Sequence, residues 1–438
     1  MQDNNTIVIK LKLDMDYKKY TLKNGVRVVF VPMKEMTTAT MLICVGTGSR
    51  FESESENGLA HFLEYMFFKG TKKRPKAMNI TKELDALGSQ HNAYTGKDRT
   101  GYYTKVPSNK ILDAMDVLND LFINSTFKGV EIKKESGTIV QEINMYEDMP
   151  SRLVYDIFEN LLYGTDHPLG RDIIGTKENV TSFKRNDFIK YLERCYTARN
   201  TVVCIAGNFP QGKVLAKIRK DFGKMREGDK PAHEIYTGEQ SSPALNVKDK
   251  KTDQTHFIIG VHTGGFNHKD RYVLSVLANI LGGGMSSRLW EEIREKRGLA
   301  YSVQAFTDFY PETGFFAVKA GVEHENLVKT LQIALKEMKK VADKGVTKEE
   351  FARARSGFEG RLAFNMETSD AIASNFAEQE VVRDEIIVPT ESLRRIHKVT
   401  RKDIQRVAKG IFVNQNLNCA IIGPQKKNEK AIKRVLKF

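Results

Sequence analysis

Apolar and polar positions follow one another along this chain in two rhythms. The runs VRVVFVP (26–32) and TATMLICVG (38–46) are rich in β-branched residues and bounded by Asn-Gly or Gly-containing turns, which predicts buried strands. NKILDAMDVLNDLFIN (109–124) and the stretch around 326–343 carry apolar residues at helical spacing, which predicts amphipathic helices. Strand-like and helix-like segments interleave along both halves of the chain.

A repeat emerges when the ends of the two halves are aligned. RNDFIKYLERCYTARNTVVCIAGNF in the first half matches TRKDIQRVAKGIFVNQNLNCAIIGP in the second. Asp187 pairs with Asp403, Asn200 with Asn416 and Gly207 with Gly423, always 216 positions apart. Each copy reads as a polar helix start, an Asn turn and a buried strand ending at Gly. Two homologous domains of about 200 residues are therefore expected. Their predicted limits are 1–225 and 252–438, joined by the Gly-, Pro- and Ser-containing stretch 226–251 as a linker.

Composition narrows the class. The chain has 438 residues, 40% hydrophobic and 28% charged, within the range of ordinary globular proteins. No apolar run approaches the roughly 20 residues of a membrane span. The first twenty residues lack the basic, apolar and small-residue order of a secretory signal, so a cytoplasmic location is expected. The net charge of +14 raises nucleic acid as a partner. The lysines, however, are interspersed with Glu and Asp along presumed helices, as in LQIALKEMKKVADKGVTKEE, which describes a solvated surface. Neither a nucleic acid nor a membrane is expected as partner. Cys44, Cys195, Cys204 and Cys419 share no metal-binding or redox spacing and are expected as small core residues.

The candidate chemistry begins in GLAHFLEYMFFKGT (58–71). His61, Glu64 and Tyr65 fall on one helical face, because residues three and four apart are neighbours there. A metallopeptidase needs two metal ligands one turn apart and a carboxylate that deprotonates bound water, and H-x-x-E-H supplies them. Here the last position is Tyr65. A lone His with a Glu three residues later is more often structural. In the second half, the GGG run at 282–284 lacks the GK[ST] of a phosphate loop.

The motif and its surroundings together resemble the pitrilysin/insulinase family of metallopeptidases, in its processing-peptidase branch. LDALGSQHNAYTGKDRTGYY (84–103), ESGTIVQEINMYEDMP (135–150) and ILGGGMSSRLWEEIREKRGLAYSVQAF (280–306) carry the likeness through the chain. The resemblance implies an α+β fold of two homologous domains, each a mainly antiparallel sheet with helices packed on it. It implies zinc as cofactor, with His61 as a ligand, Tyr65 at the place of the family's second histidine, Glu142 as the third ligand, and Glu64 as general base. Glu135 would be a carboxylate orienting a ligand, and Asn92, Ala93 and Tyr94 an edge strand that pairs with extended peptides. Arg297 and Tyr301 would contact substrate near the scissile bond, donating hydrogen bonds to a peptide carbonyl or oxyanion.

The same likeness implies unfolded peptide substrates and a dimer, homodimeric or with a related subunit, enclosing a chamber. The departure is Tyr65. An imidazole binds zinc readily at neutral pH, whereas a phenol must first lose a proton of reference pKa about 10. A weakened metal site is expected, with His91 the nearest substitute ligand by context, although it should point opposite Asn92 along a strand. Two function classes are open: a peptide-hydrolysing enzyme, or a non-catalytic subunit that binds peptides or partner proteins.

Overall fold

The computed structural model describes residues 15–438, so the signal reading of the N-terminus falls largely outside the described residues. Two sheets organise the chain. The first holds β1 (Lys18–Thr21), β2 (Arg27–Pro32), β3 (Thr38–Val45), β4 (Gln90–Thr95), β5 (Thr100–Pro107) and β6 (Thr201–Gly207), in the order β1-β2-β6-β3-β5-β4. The second holds β7 (Ala244–Lys248), β8 (Thr255–Gly264), β9 (Ala300–Phe309), β10 (Thr313–Val322) and β11 (Leu417–Ile422), in the order β7-β11-β8-β10-β9. Only β2 with β6 and β7 with β11 run parallel among the described residues. The second sheet repeats the first position for position, with β1 as the addition. This is the expected α+β class: two mainly antiparallel sheets with packed helices.

Eight of the helices bear on the site and on the packing of the sheets: α1 (Leu59–Met66), α2 (Gly129–Glu147), α3 (Pro150–Tyr163), α4 (Arg185–Cys195), α5 (Arg271–Gly282), α6 (Ser369–Arg383), α7 (Pro389–Lys398) and α8 (Arg401–Ile411). The helices expected near 109–124 and 326–343 form at Ile111–Asn124 and Leu327–Lys344.

The sequence repeat is a repeat of local devices. Asp187 and Asp403 sit at the third position of α4 and α8, where each carboxylate accepts the backbone N–H of the preceding cap residue, at 2.8 and 3.0 Å. Asn200 and Asn416 close single helical turns before β6 and β11. Gly207 and Gly423 then take φ of 111° and 149°, conformations that a Cβ would strain.

One boundary needs correction. The stretch 226–251 is not all connection, because 244–248 form β7 and pair in parallel with β11. Its alternation, ALNVK, is short and follows Ser and Pro, so it reads as polar punctuation.

Strand alternation gives each sheet two apolar faces, and the halves exchange the helices that cover them. Val28, Phe30, Met41 and Ile43 face one core with α1, α2 and α4. Val29, Leu42, Cys44 and Cys204 face the opposite way, under Ile372, Phe376 and Val381 of α6 from the second half. The second sheet is reciprocal: α3 from the first half lays Val154, Ile157 and Phe158 on Ile258, Phe315 and Ala420. Phe158 and Phe376 are fully buried, each contributing about 1.5–3 kcal/mol of hydrophobic stabilisation. All four cysteines are free and buried, and burial pushes the Cys44 thiol up to about 12.

Candidate functional site

The α1 helix starts where only glycine fits. Gly58 has φ of 99°, and a Cβ there would lie 2.7 Å from the Ile174 carbonyl oxygen. No side chain caps the helix from the N-cap position. Instead the buried Glu52 carboxylate accepts the N–H groups of Gly58 at 2.9 Å and Ala60 at 2.6 Å. Burial pushes Glu52 up to about 8 against the pull of those donors. Leu59, Phe62, Leu63 and Met66 are buried in the first core, which turns His61, Glu64 and Tyr65 together toward α2 and β4.

These side chains form a compact polar network around Glu142 of α2. The Tyr65 phenol donates to Glu142 Oε2 at 2.8 Å, and the Tyr146 phenol donates to Oε1 at 2.9 Å. His61 Nε2 stands 3.7 Å from the same Oε2, and its Nδ1 is buried with no hydrogen-bond partner. Glu64 accepts the Thr95 hydroxyl at 2.6 Å, which ties α1 to the end of β4. Burial, with the Glu142 charge adding to it, pushes Glu64 up to about 7 against the Thr95 hydrogen bond. Burial also depresses His61, favouring the neutral ring. Desolvation, the hydrogen bond to Glu142 and its charge hold the Tyr65 phenol well above its ordinary value, so at neutral pH it is a donor.

Tyr146 was not among the expected residues. Its signal is the spacing: one turn after Glu142 on the same helix face. Glu135 is drawn into a different interaction, an ion pair with Lys69 at 2.9 Å. Among the described residues it makes no hydrogen bond to His61, Tyr65 or Glu142. His91 is engaged by Ser89 through Nδ1 at 2.9 Å. No group of three or more His, Cys, Asp or Glu among the described residues is arranged to hold a metal ion.

β4 is an edge strand of the first sheet, paired with β5 on one side only. Asn92 is exposed and accepts the Ala93 N–H at 2.9 Å. Ala93 is buried, and Tyr94 reaches the opposite face, where its hydroxyl donates to Glu378 of α6 at 2.8 Å.

The second-half pair lies on the equivalent edge. Tyr301 is the second residue of β9, the edge strand of the second sheet, and is 80% exposed. Its ring lies under the Arg294 guanidinium, Cζ 4.8 Å from the centroid. Arg297 is held by Glu292 through its carboxylate at 2.7 Å and its carbonyl at 2.6 Å. Tyr301 borders a cleft of about 300 Å3 shared with Ser151 and Val154 of α3, Gln304 and Lys319. Among the described residues no hydrogen bond or ion pair joins Arg297 or Tyr301 to the Glu142 network.

The geometry has clear counterparts among known proteins. Residues 27–177 match the family model described as Insulinase (Peptidase family M16), and residues 182–358 match the one described as Peptidase M16 inactive domain. An uncharacterized zinc protease of Bacillus subtilis is 34% identical over 410 residues, covering 93% of this chain and 98% of that protein. One of Rickettsia bellii is 35% identical over 412 residues, covering 92% and 96%. Among solved structures, a protease from Helicobacter pylori superposes with a TM-score of 0.85 at 25% identity, covering 94% of this chain and 100% of that one. Family models spanning most of the chain and relatives aligned along nearly all of it agree: the chain belongs to the pitrilysin/insulinase (M16) family of peptidases.

Proposed function

We propose that this chain handles short unfolded peptides in a dimeric chamber, as in the processing-peptidase branch of its family, with its own zinc centre disabled. It would bind peptide along the β4 edge and through Arg297 and Tyr301, as the supporting member beside a related chain. The observation that carries this reading is the Tyr65 hydrogen bond to Glu142.

Zinc is what the relatives' names suggest, and the donor set here does not fit it. A catalytic zinc site takes three protein lone-pair donors. His61 supplies one and Glu142 another, but the Glu142 oxygen that faces His61 is taken up by the Tyr65 phenol, with Tyr146 on the other oxygen. The third position presents a phenol held protonated by Glu142, a far weaker zinc donor than a neutral imidazole. No step of a metal-dependent reaction is therefore assigned to this chain. Peptide binding needs no metal: an edge strand offers unpaired backbone groups to an extended chain, and the exposed Tyr301 offers an aromatic and hydroxyl contact.

The test measures two quantities on the purified chain. Zinc content is expected far below one per subunit, with cleavage of unstructured peptides at background. Saturable binding of such a peptide is expected to persist in chelator and to weaken in Tyr301→Ala. Stoichiometric zinc with chelator-sensitive cleavage would overturn the disabled centre. Loss of specific peptide binding would overturn the peptide-handling role.

A further inference from the structure

Where the two halves meet they line a half-open cavity of about 280 Å3. Its wall takes Arg99 from the turn between β4 and β5, Glu378 and Arg383 from α6, Phe266 and Arg271 from the approach to α5, and Ser392 from α7. Three guanidinium groups therefore share one small space.

Only one of them is neutralised. Arg99 pairs with Glu378 at 2.7 Å, and the same carboxylate accepts the Tyr94 hydroxyl. Arg271 and Arg383 have no side-chain hydrogen bond or ion pair among the described residues. They lie over aromatic rings instead: Arg383 Cζ is 4.3 Å from the Phe266 centroid, and Arg271 Cζ is 5.4 Å from that of Tyr272. Three acids, Glu378, Asp98 and Asp308, line the same cavity, and none of them pairs with Arg271 or Arg383. Asp98 is bound by Arg50 at 2.9 Å, Asp308 accepts the Phe309 N–H at 2.8 Å, and Glu385 is exposed.

The cost of this arrangement is visible in the guanidinium groups themselves. Burial, followed by the charge of Arg271, lowers Arg383 to about 10. Burial likewise lowers Arg271, with the neighbouring Arg395 acting in the same direction. Two half-desolvated like charges repel, and stacking on a ring offsets only part of that. An anion between them would turn the repulsion into two charge-assisted hydrogen-bonding forks. The first turns of α5 and α7 enter the same wall and add the positive ends of two helices.

We infer that this cavity between the halves binds a small, multiply charged oxyanion of the phosphate class, clamped by Arg271 and Arg383. The volume admits a phosphate or pyrophosphate group and falls below that of ordinary drug-sized ligand pockets. The shared chemistry has two sources, free inorganic anion and the phosphoryl group of a small metabolite. Because Arg99 belongs to the first half and Arg271 and Arg383 to the second, the ligand would also bridge the halves.

The experiment is calorimetric titration of the full chain with inorganic phosphate, pyrophosphate and glycerol phosphate at fixed ionic strength. One saturable site per chain is expected, with pyrophosphate bound more tightly than phosphate. Phosphate exceeding glycerol phosphate points to the free anion; the reverse order points to a phosphorylated metabolite. Arg271→Gln and Arg383→Gln should each weaken binding at least tenfold, while Arg394→Gln, an exposed arginine paired with Glu391, should leave it unchanged. Should a variant fail to fold, arginine-selective dicarbonyl labelling of the unmodified protein replaces it, with pyrophosphate expected to protect Arg271 and Arg383. No saturable binding at millimolar anion, binding equal in the Gln variants, or labelling indifferent to pyrophosphate would overturn the proposal.

Discussion

The two sheets end in equivalent edge strands, β4 and β9, and the chain finishes them in opposite ways. Beside β4, Glu64, Tyr65, Glu142 and Tyr146 are all hydrogen-bonded within the chain, and only the His61 ring is left without a hydrogen bond, its Nδ1 buried and its Nε2 3.7 Å from Glu142. At β9 the Tyr301 ring stands in solvent with an arginine above it. The difference follows from burial. A sheltered polar group left unpaired costs about 1–3 kcal/mol, so the Glu142 carboxylate is best served by protein donors when no ligand is there. An exposed group has water for a partner and can remain free for a substrate. On the proposed reading, a phenol in place of an imidazole closes the first-half site, while its second-half counterpart stays open.

The largest effect should come from reopening the closed side. Tyr65→His removes the phenol proton from Glu142 and is expected to raise zinc content toward one per subunit and peptide cleavage above background. In that variant Glu64→Gln should keep the metal and lower the rate by at least ~10²-fold, the usual contribution of a general acid or base. Equal rates with and without Glu64 would show that water activation belongs to another carboxylate.

Next comes the division of labour between the edges. A chain carrying Tyr65→His together with Arg297→Ala and Tyr301→Phe would have the reopened site without the second-half contacts. Alone it should cleave poorly. Mixed with the unmodified chain under conditions that exchange subunits, it should exceed the sum of the separate activities, with a gain that depends on concentration. Simple additivity would mean that each chain completes its own site.

The exchanged helices set a third, smaller scale. Phe158→Ala and Phe376→Ala should each destabilise by about 3–5 kcal/mol in denaturant unfolding. If the halves form one cooperative unit, both variants shift a single transition; two separated transitions would show that each half stands alone. Tyr146→Phe should cost less, about 1–2 kcal/mol, by leaving one Glu142 oxygen without its donor.

A different kind of effect is a slope with pH. Glu52 titrates near 8 in the folded chain, above its unfolded value, so the folded state holds this proton more tightly. Its contribution to stability is present below the unfolded carboxylate pKa and is lost as pH rises from about 5 to about 8. Glu52→Gln should flatten that part of the stability profile. An unchanged slope would mean that the Gly58 and Ala60 donors already keep the carboxylate ionised.

What could be read from the sequence was local. Capping by Asp187 and Asp403, the turns at Asn200 and Asn416, and the positive-φ glycines that end the strands are each decided within a few residues, so the repeat was legible. The helical face of His61, Glu64 and Tyr65 was legible for the same reason. Strand β7 was not, because an edge strand of five residues among Ser, Pro and Lys carries little alternation. Tyr146 is legible only from its spacing to Glu142, because it is a donor to a candidate ligand and lies outside the ligand motif itself. The meeting of Arg271 with Arg383 was out of reach: 112 positions separate them, and only tertiary packing decides that they share a wall.

The exchange of α3 and α6 also bears on how the chain is made. Synthesis runs from the N-terminus, and the first sheet has all its strands once Gly207 emerges. Its second apolar face, however, is covered only by α6, which ends at Arg383, about 175 residues later. At roughly 5–20 residues per second this is a wait of about 10–35 s. During that interval Val29, Leu42 and Cys204 belong to a nascent chain with an uncovered sheet, the condition in which a ribosome-bound chaperone has something to hold.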